Sequence, residues 1–479
     1  MFGGDGPLCL CLSGGGFRAT CFHLGVVRLL MEVNFLKRIT HVFSVSGGSV
    51  LAAHLALNWS AYSEGDAAKF QDLSDAVVRF IARDVRGRIV RRWLLFRPRA
   101  AALQREYDAF YKGARLRELP MTPAFHFATT SMTTGRLCAF TREGFRVARE
   151  DGRVQLHPAE AQPVAQAVAA SSAFPPLFPP LRLDLPDLSR REYRTAEYLT
   201  DGGVFDNVGL ACFRRMTSPG AIGAFDRVLV SDASGFFDHA PDVGYRLLTS
   251  RTARTTDILM QREAELEAET WKRELGERLV LFRISDVVDD LPLLDTWFRA
   301  QSPKAQRLLK NVRTDFDPFP HDLTRALVRH GYEVAFLRAF ASALSCPLDA
   351  YVAAAARRLP ATLEGGLRPW DPMPPGWPDR AAMSHEATNA AIREHLVKLY
   401  EALAAADRVL HREPEPARSD IRDQLAAEER DQLKQLETLL LNSSARPVGL
   451  WNPRDWTSWM LLALVTSMLV LGAVAVLST

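Results

Sequence analysis

Six cysteines stand in 479 residues, and no two of them form a CxxC pair or a zinc-ligand spacing. That scarcity argues against a disulfide-stapled scaffold and suits free thiols in a reducing compartment. Charge imbalance is equally scarce. The 59 basic and 56 acidic side chains leave a formal charge of +3, so neither a strong electrostatic partner nor a nucleic-acid groove is implied. The opening stretch MFGGDGPLCLCL lacks the basic region of a signal peptide, so the body of the chain is expected in the cytoplasm. There is no internal repeat. No metal site and no cofactor are expected, and no loop has EF-hand spacing, so no calcium dependence is expected either. What is present is a folded composition, 47% hydrophobic and 24% charged. The length allows one domain of about 250–350 residues with additions, or two ordinary domains.

Residues 8–12 (LCLCL) read as a short apolar strand, with Cys9 and Cys11 as core thiols. Residues 19–31 then carry helical periodicity, with Phe22, Val26, Leu29 and Leu30 on one face. Residues 40–45 (THVFSV) are β-rich and 47–58 read as helix. This alternation predicts an α/β fold with a mostly parallel central sheet. Further strands are expected at 123–129 and 137–140 around the turn Thr134-Gly135, and at 227–231 and 279–284. Long helices are expected at 254–275 and 322–344.

The chain changes character after residue 345. The stretch 364–380 (EGGLRPWDPMPPGWPDR) marks a Pro/Gly-rich linker region, taken as 346–385. A helical region over 386–445 follows, with Ile392, Leu396, Leu399 and Leu403 on one face. Residues 459–477 (WMLLALVTSMLVLGAVAVL) hold no charge. As a helix they would span about 28 Å, near the ~30 Å hydrocarbon core, and they predict one transmembrane helix. Trp451, Trp456 and Trp459 sit at its leading edge, and Arg446 and Arg454 precede it. That asymmetry predicts a single-pass C-terminal anchor with the body of the protein in the cytoplasm. Residues 83–99 interleave seven arginines with Trp93, Leu94 and Phe96, which fits either a membrane-surface segment or a solvated helix with a core face.

Three short motifs carry chemistry. Ser44-Val45-Ser46-Gly47-Gly48 follows a strand and opens a helix. A serine at such a turn is lifted from the sheet with its hydroxyl exposed, the logic of a nucleophile elbow, although Ser44 stands where the strict motif has Gly. Ser13-Gly14-Gly15-Gly16-Phe17-Arg18 lies between the first strand and first helix. No Lys-Ser/Thr follows it, as a phosphate loop needs, and no acid ends the second strand, as a dinucleotide site needs. The backbone N–H groups of Gly14, Gly15 and Gly16 are therefore candidates for an oxyanion hole. Asp201-Gly202-Gly203 can hold a carboxylate at an exposed turn, with Asp206 and Asn207 fixing the loop.

In this order the motifs resemble the patatin-like phospholipases, and the blocks Ala170–Pro180 (ASSAFPPLFPP) and Phe22–Val26 add to the likeness. The resemblance spans about residues 8–345 and defines a catalytic domain over 1–345. It implies a three-layer α/β/α domain and a serine lipid acyl hydrolase without a catalytic His. Ser46 would be the nucleophile, and Asp201 the general base within about 3 Å of its hydroxyl. Burial of Asp201 would raise its pKa. Arg18 would either brace its loop or bind a lipid phosphate. The expected substrate is a phospholipid or other acyl lipid at a membrane. Alternatives are a hydrolase of neutral glycerides, an inactive membrane-tethered interaction protein, and a bacterial defence or toxin effector.

Overall fold

The computed structural model describes residues 6–343 except 33–34, 95–98, 176–177, 185–195, 235–247, 288–302, 315 and 317, together with six residues between 434 and 466. The linker region 346–385 lies outside the described residues. So do the helical region 386–445 and the apolar run 459–477, apart from Lys434, Glu437, Thr438, Leu462, Ala463 and Thr466, which are helical. Among the described residues no helix is long and apolar enough to cross a membrane.

A ten-stranded sheet organises the domain. Its strands are β1 (Leu8–Leu12), β2 (Ile39–Ser44), β3 (Ala124–Ser131), β4 (Leu137–Thr141), β5 (Gly144–Ala148), β6 (Val154–Pro158), β7 (Leu181–Leu183), β8 (Glu197–Asp201), β9 (Arg227–Asp232) and β10 (Leu279–Arg283). Their order is β10-β9-β1-β2-β3-β4-β5-β6, with β8 pairing both β3 and β7. The sheet is mixed, not mostly parallel. From β10 to β3 every neighbour is parallel, and from β3 onward every neighbour is antiparallel. The reason is connection length. β4 and β5 are joined by Arg142 and Glu143 alone, and a link that short fits only antiparallel strands.

The parallel strands are apolar on both faces because both are covered. In β1, Leu8, Leu10 and Leu12 join a core with helix α1 (Gly16–Glu32), helix α2 (Gly47–Leu57) and the helix His321–Ala343. Cys9 and Cys11 point the other way, into a core with Phe213 and Met216 of the helix Leu210–Met216 and with Trp271 and Leu275 of the helix Leu248–Leu275. Helices thus flank both faces of the sheet. The Arg-rich stretch enters as the helix Val85–Leu94, whose Val85 and Ile89 are buried in the first core. The side chains at 90–100 lie outside the described residues.

One register sets up the site. On a single edge of β3, the parallel β2 pairs as far as Ser44 opposite Phe127, and the antiparallel β8 takes over with Asp201 opposite Thr129. The other edge belongs to β4. β2 and β8 therefore run toward each other and meet end to end. Two β3 positions separate their ends, about 7 Å at strand spacing.

Candidate active site

Ser46 occupies the turn from β2 into α2 with φ 49° and ψ −118°. Positive φ is costly for a residue with a Cβ, and the surroundings must enforce it. The Ser46 N–H donates to the carbonyl and to Oγ of Ser171, both at 3.1 Å. Behind the turn the packing admits no side chains. A Cβ on Gly47 would lie 2.0 Å from the Gly16 carbonyl oxygen, and one on Gly48 would lie 2.5 Å from that of Leu12. Ser44 is accommodated because its hydroxyl is satisfied. It donates to the His126 carbonyl at 3.2 Å and accepts from Ser49 Oγ at 3.0 Å. Ser49 Oγ also meets Ser171 Oγ at 2.8 Å. Each hydroxyl has one proton, so the chain runs Ser171 to Ser49 to Ser44 to His126, and the bonds polarise one another. It ties the strand before Ser46 to the segment that holds the Ser46 N–H.

Asp201 ends β8 and is 1% exposed. Its Oδ1 accepts the Gly203 N–H at 2.7 Å, and its Oδ2 is buried without a hydrogen-bond partner. Burial raises its pKa to about 7, against smaller lowering effects of the Gly203 N–H and the Ser46 hydroxyl. Ser46 is thus near enough to favour the carboxylate, yet it makes no bond of ordinary geometry to Oδ2. Such contacts tighten when substrate is bound. The Asp201 N–H donates to the Ala173 carbonyl at 3.2 Å, so the block Ala170–Pro180 serves both partners of the pair.

Tyr107 was not singled out by the sequence. Its hydroxyl lies 3.1 Å from Ser172 Oγ, and burial above all, with the Asp201 charge adding, pushes it well up. Tyr107 sits in the helix Arg99–Tyr111, where nothing in its surroundings suggests chemistry; only the tertiary fold brings it here.

The glycine-rich loop abuts the same turn. Gly15 and Gly16 have φ of 135° and 57° and lead into α1, whose first N–H groups lack helical acceptors. Gly14 departs from the sequence expectation. Its N–H donates to the Asn207 carbonyl at 2.8 Å, so it is not free to serve an oxyanion. Of the two roles expected of Arg18, bracing the loop is the one its bonds fit, since its guanidinium is taken up by main-chain carbonyls. Only 2% exposed, it donates through Nη1 to the carbonyls of Lys310 and Val312 and through Nη2 to that of Ala233, each at 2.8 Å. Burial lowers its pKa to about 10. His23 braces the loop from beneath. Its Nε2 lies 2.9 Å from the Ser13 carbonyl oxygen and its Nδ1 2.6 Å from Ser231 Oγ, while burial lowers its pKa to about 4. The neutral ring donates to Ser13 and accepts from Ser231.

Asp206 fixes its loop. Oδ1 accepts the N–H groups of Val208 and Gly209 at 3.0 and 2.8 Å, and Oδ2 that of Cys212 at 2.9 Å. Among the described residues no group of three or more His, Cys, Asp or Glu is arranged to hold a metal ion.

No curated protein matches the chain. Among solved structures, human GIVD cytosolic phospholipase A2 is 13% identical, with 72% of this chain and 60% of that chain covered and a TM-score of 0.41. VipD from Legionella pneumophila is 15% identical, with 72% and 67% covered and a TM-score of 0.33. The chain thus spans 60% of the length of the human protein it matches. Residues 10–212, which hold the glycine-rich loop, Ser46 and Asp201, match the family model of the patatin-like phospholipases.

Proposed function

We propose that the protein is a lipid acyl hydrolase of the phospholipase A or lysophospholipase type, using Ser46 as nucleophile and Asp201 as general base. The observation that carries this reading is Asp201 itself: a buried carboxyl with a pKa near 7 and an unpartnered Oδ2, beside a serine on a strained strand-to-helix turn. A base titrating near neutrality is well matched to its task.

Acylation begins when Ser46 Oγ attacks the ester carbonyl and its proton passes to Asp201. The free N–H groups at the start of α1, from Gly15 and Gly16 onward, face the developing oxyanion. As the C–O bond to the alcohol breaks, Asp201 returns the proton to the leaving oxygen. Water then cleaves the acyl-enzyme by the same route, releasing the fatty acid. Exposed Phe174, one residue after Ala173, and exposed Val204, three after Asp201, offer apolar surface close to the pair in sequence and suit a lipid substrate.

Membrane attachment belongs to the same proposal. It rests on the uncharged run 459–477 and the arginines before it, which favour a cytoplasmic catalytic domain and a single C-terminal anchor. Neutral glycerides would use the same pair of residues, so substrates decide between the two. The test is fatty-acid release from phospholipid vesicles, monoglyceride and triglyceride by wild type, Ser46→Ala and Asp201→Asn. Release from phospholipid that both substitutions abolish is the expected result. Equal release by all three proteins would overturn the assignment, and preference for glycerides would move it to the second substrate class.

A further inference from the structure

Ser46 and Asp201 stand on different elements, and one short segment holds both. Ser171 takes the Ser46 N–H on its carbonyl and on Oγ, each at 3.1 Å, and the Ala173 carbonyl takes the Asp201 N–H at 3.2 Å. Ser172, between them, is fully buried. A shift of this three-residue clamp moves the serine and the carboxyl relative to each other.

Ser172 is itself held by Tyr107, whose hydroxyl oxygen lies 3.1 Å from Ser172 Oγ. Ser172 Oγ also donates to the Val168 carbonyl at 2.6 Å. Its single proton is committed there, so the Tyr107 hydroxyl is the donor to Ser172. Tyr107 is 0% exposed, and a buried hydroxyl without a partner is costly, so the bond is kept. Tyr107 rises from the helix Arg99–Tyr111, whose last residue donates through its own hydroxyl to the Val50 carbonyl of α2 at 2.9 Å. Ser46 opens α2. One helix thus grips the clamp with one tyrosine and the helix of Ser46 with another. Packing does not require the Tyr107 hydroxyl, since its ring is set against Phe80 and Tyr111 at centroid distances of 6.0 and 6.2 Å.

We propose that Tyr107 is a positioning residue: its hydroxyl fixes Ser172 at the centre of the clamp and so sets the separation of Ser46 Oγ from Asp201 across which the proton passes. This inference rests on the ester-hydrolase reading above. The hydroxyl takes no part in bond making, and burial keeps it uncharged in the working range. Its removal therefore takes no charge away from Asp201. What changes is geometry. Burial raises Asp201 and the Ser46 hydroxyl lowers it. When the clamp slackens and that hydroxyl recedes, the lowering fades and the Asp201 midpoint climbs above 7.

The test uses the full chain with p-nitrophenyl butyrate, normalised to the protein that a fluorophosphonate titrates. Tyr107→Phe keeps the ring and removes only the hydroxyl, and Ser172→Ala removes its acceptor. Each is expected to lower kcat about 10-fold, with KM within about twofold. In each the midpoint of the kcat–pH profile moves above that of wild type, with melting temperatures close to wild type. The double variant is expected to be no worse than the worse single, because both lose one bond. A Tyr107→Phe protein with kcat within about twofold of wild type overturns the proposal. So does a loss of kcat with the midpoint unmoved, which marks a structural role alone. The parent reading fails separately, on the wild type: a protein that neither hydrolyses the ester nor is labelled at Ser46 sinks both.

Discussion

At the scale of single residues, the site depends on a carboxyl held against its preference. Asp201 has an ordinary value of 3.8 and is raised to about 7 by burial. As the proposed base it would act only when ionised, so kcat is expected to rise with pH to a plateau, with a midpoint near 7. The same shift has a thermodynamic consequence. Between pH 4 and 7 the folded protein keeps a proton that the unfolded chain has released, so stability from this group is complete below about pH 4 and falls as pH climbs through 7. Asp201→Asn cannot titrate. It is expected to be inactive, yet to gain in melting temperature over wild type as pH rises from 4 to 8; a constant difference across that range would contradict the burial argument. Ser46 and Asp201 were singled out because motif order carried them, and the fold brings their neighbourhoods together, with the Ala170–Pro180 block bonded to both. Gly14 was misread and Arg18 was left between two roles because their partners lie far along the chain, Asn207 for one and Ala233, Lys310 and Val312 for the other.

At the scale of elements, the decisive event is the end-to-end meeting of β2 and β8 on one edge of β3. The sequence predicted β1, β2, β9 and β10 within a residue or two, since each is a compact apolar run before or after a helical pattern. It also caught the β3–β4 hairpin through Thr134-Gly135. It missed β5 to β8, of which β6 alternates too weakly and β7 is only three residues long, and with them the switch to antiparallel pairing. No local signal says that β8 will pair with a strand some seventy positions earlier. Arg18 gives the prediction at this scale, because it joins α1 to backbone beyond β9 and before the helix His321–Ala343. Arg18→Lys keeps the charge but cannot reproduce a planar fork onto three carbonyls. It is expected to cost about 2–4 kcal/mol of stability by denaturant titration, with KM for phospholipid nearly unchanged. A large rise in KM without loss of stability would restore the phosphate-binding role.

At the scale of the whole molecule, the proposed catalytic pair and the proposed anchor occupy separate parts of the chain. Ser46, Asp201 and every brace described around them lie before residue 344, and the uncharged run begins at 459. Removing residues 446–479 is therefore expected to move the protein from the membrane to the soluble fraction while hydrolysis of a short soluble ester stays within about twofold of the full chain. Hydrolysis of vesicle phospholipid should fall further, because tethering raises the effective concentration of enzyme at the bilayer. Unchanged fractionation would remove the anchor from the account and leave the chemistry standing.

The claim that Ser46 is acylated with Asp201 as its base is tested most directly by fluorophosphonate labelling, followed by peptide mapping, across pH 5–9. The account expects one adduct, on Ser46, forming at a rate that rises through a midpoint near pH 7 and drops by orders of magnitude in Asp201→Asn. An adduct on another residue, or an Asp201→Asn protein labelled at the wild-type rate, would contradict it.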